Sequence, residues 1–268
     1  MFKPRNLHIS GGTFTEKNNY GPPIGQGALL LHFYWDILTF SQSILAGFET
    51  LTKTAAPSAF YDHRGHEFDV PRCHKNTRVA VLEKIGDWVF EITTFIMWLY
   101  GAAGAGKSAI ARTMAEILHT RQQLLATFFF MRADPSRNHI RSVIPTLAYN
   151  IVLSVPESLP LITARIEQDP HIFQRPFDHQ LRQLILEPLQ KLFLQDGLLF
   201  PTVIVVDGLD ECLIQEERIT LLHAISINAA QHFVPLKFLI TSQPEVPIAR
   251  IFNRQFVWSH GEPRVAKT

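Results

Sequence analysis

Between Gly101 and Ser108 the chain runs Gly-Ala-Ala-Gly-Ala-Gly-Lys-Ser, a stretch of small residues closed by an amine and a hydroxyl. Glycine and alanine let successive backbone N–H groups curl around an anion without side-chain obstruction. The spacing fits G-x-x-x-x-G-K-[ST], a loop that cradles polyphosphate. In that arrangement Gly101, Gly104, Ala105, Gly106 and Ala109 supply backbone around the phosphates. Lys107 reaches the β- and γ-phosphates, and the Ser108 hydroxyl ligates Mg²⁺. A helix starting at Ser108 points its positive dipole end at the same anion.

A second set of oxygens follows Val203-Ile204-Val205-Val206, an almost pure β-branched run that ends in Asp207. An Asp at the end of a buried strand beside a phosphate loop suits the Mg²⁺ shell, giving Ser108 and Asp207 as the metal pair. Asp210 and Glu211 come next, as carboxylates to orient or deprotonate an attacking water. Read alone, such a group is a polar strand end that caps the next helix. Thr241-Ser242 ends another apolar run, so Ser242 is a candidate phosphate contact, although a plain turn before Pro244 explains it equally well. His63, His66, Cys73 and His74 hold zinc-type donor atoms, but adjacent Cys73 and His74 rarely reach one ion and there is no second cysteine pair.

These residues need strands to hold them at one edge. Thr93 to Tyr100, Leu124 to Met131, Pro201 to Val206 and Leu236 to Thr241 are apolar runs without alternation, as expected of parallel strands covered on both faces. Helical spacing marks Arg78 to Trp88, capped by Asn76-Thr77, together with Ala109 to Thr120, Ser142 to Val155, Leu159 to Gln168 and His179 to Leu194. The fold class is therefore α/β, a P-loop NTPase parallel sheet sandwiched by helices, with an N-terminal helical extension. No repeat of 20 to 50 residues is visible, which excludes a solenoid or propeller.

Composition agrees with a globular domain: of 268 residues 46% are hydrophobic and 18% charged, with 20 Phe for a core. Twenty-five Lys and Arg balance 24 Asp and Glu, so no basic excess points to nucleic acid. Two cysteines cannot make a disulfide framework, and the first 25 residues lack an apolar signal core, so a reducing, cytoplasmic setting is expected. Ala28 to Phe48 has the length of a bilayer span, but central Asp36 would cost ~3 kcal/mol to insert. An amphipathic helix presenting Tyr34, Leu38, Leu45, Phe48 and Leu51 fits better.

The whole pattern resembles the NACHT class of P-loop NTPases (STAND class), particularly fungal NOD-like receptors. It rests on FETLTKTAAPSAF from Phe48 to Phe60, Cys73 to Arg78, GAAGAGKSAIA, Phe128-Phe129-Phe130 with Asp134-Pro135-Ser136-Arg137, Asp207-Gly208-Leu209-Asp210-Glu211-Cys212, and Phe238 to Ser242. The resemblance spans about residues 45 to 250. It implies bound ATP or ADP with Mg²⁺, slow hydrolysis used as a switch, and self-association with related NACHT proteins in signalling. It also implies that Thr77 and Arg78 lie near the base and ribose. The expected organisation is a flexible leader at 1–27, a helical extension and connector at 28–77, the NACHT domain at 78–252, and a tail at 253–268. Family members usually carry an arginine where Gln243 stands, and residues 254–268 do not resemble the family's fifth strand, winged helix or repeats. A truncated NACHT core is therefore expected. A non-enzymatic module docking on relatives is the rival reading, and a small-molecule kinase with Arg132 and Arg137 in a lid is a third.

Overall fold

Four of the apolar runs become adjacent parallel strands in the computed structural model, which describes residues 42, 44–63, 72–194, 197, 199–231, 234–255 and 265–267. The strands are β1 (Ile96–Tyr100), β2 (Leu124–Phe129), β3 (Val203–Asp207) and β4 (Lys237–Ser242). A short β5 (Val265–Lys267) pairs with β1, so the order across the sheet is β2-β3-β4-β1-β5, every neighbour parallel. The tail expected at 253–268 thus supplies a fifth strand, which three residues without a clear apolar run did not announce. Because all strands point the same way, the ends of β1, β3 and β4 share one edge, where ligands of such sheets bind.

The side chains of β1, β3 and β4 alternate between two cores. On one face Met97, Leu99, Val203, Val205 and Leu239 pack with Ile85, Trp88, Ile110, Met114 and Leu118 of α2 (Val79–Val89) and α3 (Lys107–Thr120). On the other face Ile96, Trp98, Ile204, Val206, Phe238 and Ile240 meet α4 (Val143–Ser154), α5 (Leu159–Gln168), α8 (Gln215–Gln231) and α9 (Val246–Gln255). Between them runs a continuous helical stretch of α6 (Phe177–Leu181), a π turn at Arg182–Leu186, and α7 (Glu187–Leu194). The π turn stands just before Pro188, whose missing N–H and ring break the regular ladder.

Helix α1 (residues 44–54) belongs to the same compact body as the sheet. Leu51, Ala56 and Ala59 are buried in the core with α4, and the Tyr149 ring stacks between Phe48 and Phe60 at 5.9 and 5.8 Å. Gly47 makes a close approach possible, since a Cβ there would lie 2.8 Å from Thr163 Cβ. Leu45, expected on the apolar face, is 66% exposed. Residues 1–41, with the leader and most of the 28–48 segment, lie outside the described residues. No helix among the described residues is long and apolar enough to cross a membrane.

The outer edge of β2 is closed by α4 side chains. Ser154 Oγ donates to the Leu125 carbonyl at 3.0 Å, and Asn150 Oδ1 accepts from the Thr127 N–H at 3.3 Å. An edge whose backbone groups are taken up this way offers little to a second chain. At the start of β4 the buried Lys237 amine donates to the carbonyls of Glu91 and Thr94 and stands 4.9 Å from the Trp88 ring centre. Burial pushes that amine down to about 8.

Candidate functional site

The loop from Gly101 to Gly106 joins β1 to α3, the strand–loop–helix context that its sequence requires. Gly104 and Gly106 take φ of +74° and +86°, backbone that side chains rarely adopt, so glycine is needed at both. Gly106 is the N-cap of α3 and offers no side-chain cap. The first bond of the helix ladder runs from Ile110 N–H to Gly106 O at 3.0 Å. The amides of Lys107, Ser108 and Ala109 precede it and point outward from the helix end. Lys107 is buried, and its amine donates to Gly101 O and Ala102 O, each at 3.0 Å. The loop thus holds its own lysine against its own carbonyls.

Asp207 is the last residue of β3 and shares a strand face with Val203 and Val205, the face that α3 covers. Its carboxylate therefore meets the start of α3, close enough to the Ser108 hydroxyl for that group to favour its ionised form. Thr241 Oγ1 donates to Asp207 Oδ1 at 2.5 Å and accepts from the Gly208 N–H at 2.9 Å. Burial pushes the Asp207 carboxyl from 3.8 up to about 6; the Thr241 and Ser108 hydroxyls oppose this, and the charges of Glu211 and Asp210 add to it. Asp207 and Ser108 form an oxygen pair of the kind a hard divalent cation takes, so the residues present fit Mg²⁺.

The other expected site residues divide. Asp210 is buried, and both of its oxygens are engaged by Gln243, Oδ1 by the backbone N–H and Oδ2 by Nε2, each at 2.9 Å. Glu211 Oε2 accepts from the Arg132 N–H at 3.0 Å, while Arg132 Nη2 donates to Asp210 O at 3.0 Å. Glu211 therefore ties the segment after β2 to the turn after β3. Ser242 points to the opposite face: Trp98 Nε1 donates to its hydroxyl at 2.8 Å, and it is 0% exposed. The strand-end residue facing the loop side is Thr241. Strand parity carried that signal, since Thr241 follows Leu239 on the α3 face and Ser242 follows Ile240 on the other.

Arg78 stands at the mouth of the loop. It is the N-cap of α2 with φ of +59°, and its Nη2 donates to Ala105 O at 3.0 Å. Thr77 Oγ1 donates to His74 O at 2.6 Å, so the Asn76-Thr77 pair closes a turn instead of capping the helix. Arg137 is buried, paired with Asp134 at 2.9 Å and donating to Ser58 O, which removes it from any lid. Of the zinc candidates, His66 lies outside the described residues, and among the described residues no three His, Cys, Asp or Glu gather around a common point. Cys212 is buried, and burial pushes its thiol up to about 11.

The parallel sheet, the loop between β1 and α3, and Asp207 at the end of β3 make this a P-loop NTPase-like fold. Two structures of Drosophila ORC are similar to it at low level. One is bound to GC-rich DNA and Cdc6 (13% identity, 98% of this chain and 36% of that chain, TM-score 0.36). The other is bound to DNA (12% identity, 97% and 37%, TM-score 0.35). The chain thus spans little more than a third of the length of those chains. No curated protein matches the sequence significantly. A family model, described as nephrocystin 3, N-terminal, matches residues 80–243, from the first turn of α2 to Gln243. That stretch holds the phosphate loop, Asp207 at the end of β3, Asp210 in the turn after it and more than half of the chain, and the chain belongs to the nephrocystin 3 N-terminal family.

Proposed function

We propose that the chain is a Mg²⁺-dependent ATP- or ADP-binding module of the NACHT kind, whose slow hydrolysis serves as a switch. One observation carries the proposal: the Gly101–Ser108 loop stands between β1 and α3, with Asp207 at the end of β3 on the sheet face that α3 covers. Lys107 and the amides of the α3 first turn would hold the phosphates, and the positive helix end favours the anion. Ser108 and Asp207 would hold Mg²⁺, which supplies charge neutralisation for the phosphates when bound. Asp210 would orient the attacking water. Glu211, the second carboxylate at this turn, would secure the loop at Arg132. Arg78 and Thr77 flank the loop on the side of α2 and would meet the ribose or base.

Binding requires Lys107 to exchange two carbonyl partners for phosphate oxygens, a neutral-to-charged exchange that strengthens each bond. The setting proposed is intracellular signalling through self-association with related NACHT proteins. Titration of Mg²⁺ against ATP affinity tests the reading, with Asp207→Ala as the control. The account expects Mg²⁺ to strengthen binding in the parent chain and to have no effect in the variant. Equal Mg²⁺ dependence in the two would remove Asp207 from the metal site.

A second reading, a non-enzymatic interaction module, is favoured by Gln243. It is uncharged and occupies both oxygens of Asp210. Tight nucleotide binding with no phosphate release over many hours would support that reading, and steady release would exclude it.

A further inference from the structure

Asp210 is held on both oxygens by one residue. The two N–H groups of Gln243 address Oδ1 and Oδ2 in parallel, each at 2.9 Å, the geometry of a bidentate pair. The backbone donor is fixed. Ser242 Oγ donates to Gln243 O at 2.8 Å, Ser242 receives the Trp98 indole, and Pro244 follows with its φ set by the ring. Because β4 lies between β3 and β1, residue 243 stands between the turn that carries Asp210 and the loop that follows β1. The Asp210 carboxylate is buried, while the Gln243 side chain is exposed. Only the outer partner is free to swing away.

We propose that Gln243 is a positioning residue that restrains Asp210, turning its carboxylate toward the end of β4 so that hydrolysis of bound nucleotide waits on release of the Nε2 bond. The inference rests on the nucleotide-binding reading above. A carboxylate orients water only through a lone pair aimed at it, and the bidentate pairing aims both oxygens at β4 instead. Release is conservative in chemistry: the amide moves to solvent, where its hydrogen bonds are replaced, and Oδ2 gains a water. No charge is created or buried by the exchange. An arginine at 243 would hold the same carboxylate more firmly through a charge-assisted pair. The neutral amide therefore makes the restraint weak enough for thermal opening.

The test is single-turnover hydrolysis of radiolabelled ATP bound with Mg²⁺ to the full chain, comparing the parent, Gln243→Leu, Asp210→Asn and the double variant. Gln243→Leu keeps the backbone donor and the side-chain bulk but removes Nε2. The hydrolysis rate should rise about tenfold, the factor that loss of one such hydrogen bond corresponds to. Nucleotide affinity should be unchanged, and the gain should vanish in the Asp210→Asn background. Gln243→Asn, one methylene shorter, withdraws the amide from Oδ2 and should act in the same direction, which covers a Leu variant that does not fold. Unaltered or slower hydrolysis with intact binding would overturn the restraint alone, as would a gain that survives Asp210→Asn. A folded parent chain that binds no ATP would overturn the nucleotide reading itself.

Discussion

Replacing Asp207 with asparagine isolates the energetic cost of holding a buried carboxylate at the end of β3. The carboxyl is 3% exposed, and burial raises it from 3.8 to about 6. At 1.36 kcal/mol per pH unit, holding the anion in the folded chain costs about 3 kcal/mol at neutral pH. The sign follows from the raised value. Between pH 3.8 and about 6 the folded chain binds more protons than the unfolded one, so this group's contribution is fully present below that window and is lost as pH rises through it. Asparagine keeps the shape, and the Thr241 and Ser108 hydroxyls can each reverse donor and acceptor roles toward it. Asp207→Asn should therefore melt higher than the parent at pH 7.5, by about 4 to 10 °C for a chain of this size. The difference should shrink to nothing near pH 4. Differential scanning calorimetry of both chains without nucleotide, at half-unit pH steps, reads it directly. A variant that melts lower at pH 7.5, or a difference independent of pH, would refute the reasoning.

Other consequences concern packing and charge away from the loop. Gly47→Ala places a methyl 2.8 Å from Thr163 Cβ, so α1 must shift from α5; denaturant unfolding should show a loss of about 1–3 kcal/mol. Lys237 lies below its ordinary value at about 8, so the folded chain binds fewer protons than the unfolded one between pH 8 and 10.5. Its desolvation cost is relieved as pH rises through that window, and the parent should gain stability there relative to Lys237→Met in paired thermal melts. Gly208 has φ of +69° between Asp207 and the turn, so Gly208→Ala should cost about 1–2 kcal/mol in the same unfolding assay.

Much of the sheet was legible because parallel strands covered on both faces leave apolar runs. β3 starts two residues and ends one residue later than expected, β4 is shifted by one, and α5 matches its expected bounds at Leu159–Gln168. What escaped depends on partners distant in sequence. Parity in the sequence separates Thr241 from Ser242, but which of the two faces the loop depends on the sheet face that α3 covers, and that is set by the packed strands. Asn76 and Thr77 are good cap residues, yet Arg78 in left-handed backbone starts α2, and its guanidinium donates to the Ala105 carbonyl across 27 residues of chain. β5 was missed since Val265–Lys267 has neither length nor apolar character, and its pairing depends on an edge that β1 offers. Gln243 read as a lost charge; its bond to Asp210 needs the β3–β4 neighbourhood to be seen.

The central claim is that the loop before α3 binds a nucleotide. Calorimetric titration of ATP with Mg²⁺ into the parent chain and into Lys107→Ala tests it most directly, with circular dichroism to confirm that both are folded. The account predicts saturable one-site binding in the parent and a loss of at least about tenfold in the variant, as expected when a charge-assisted contact to phosphate is removed. Equal affinity in the two folded chains, or no binding in either, would contradict it.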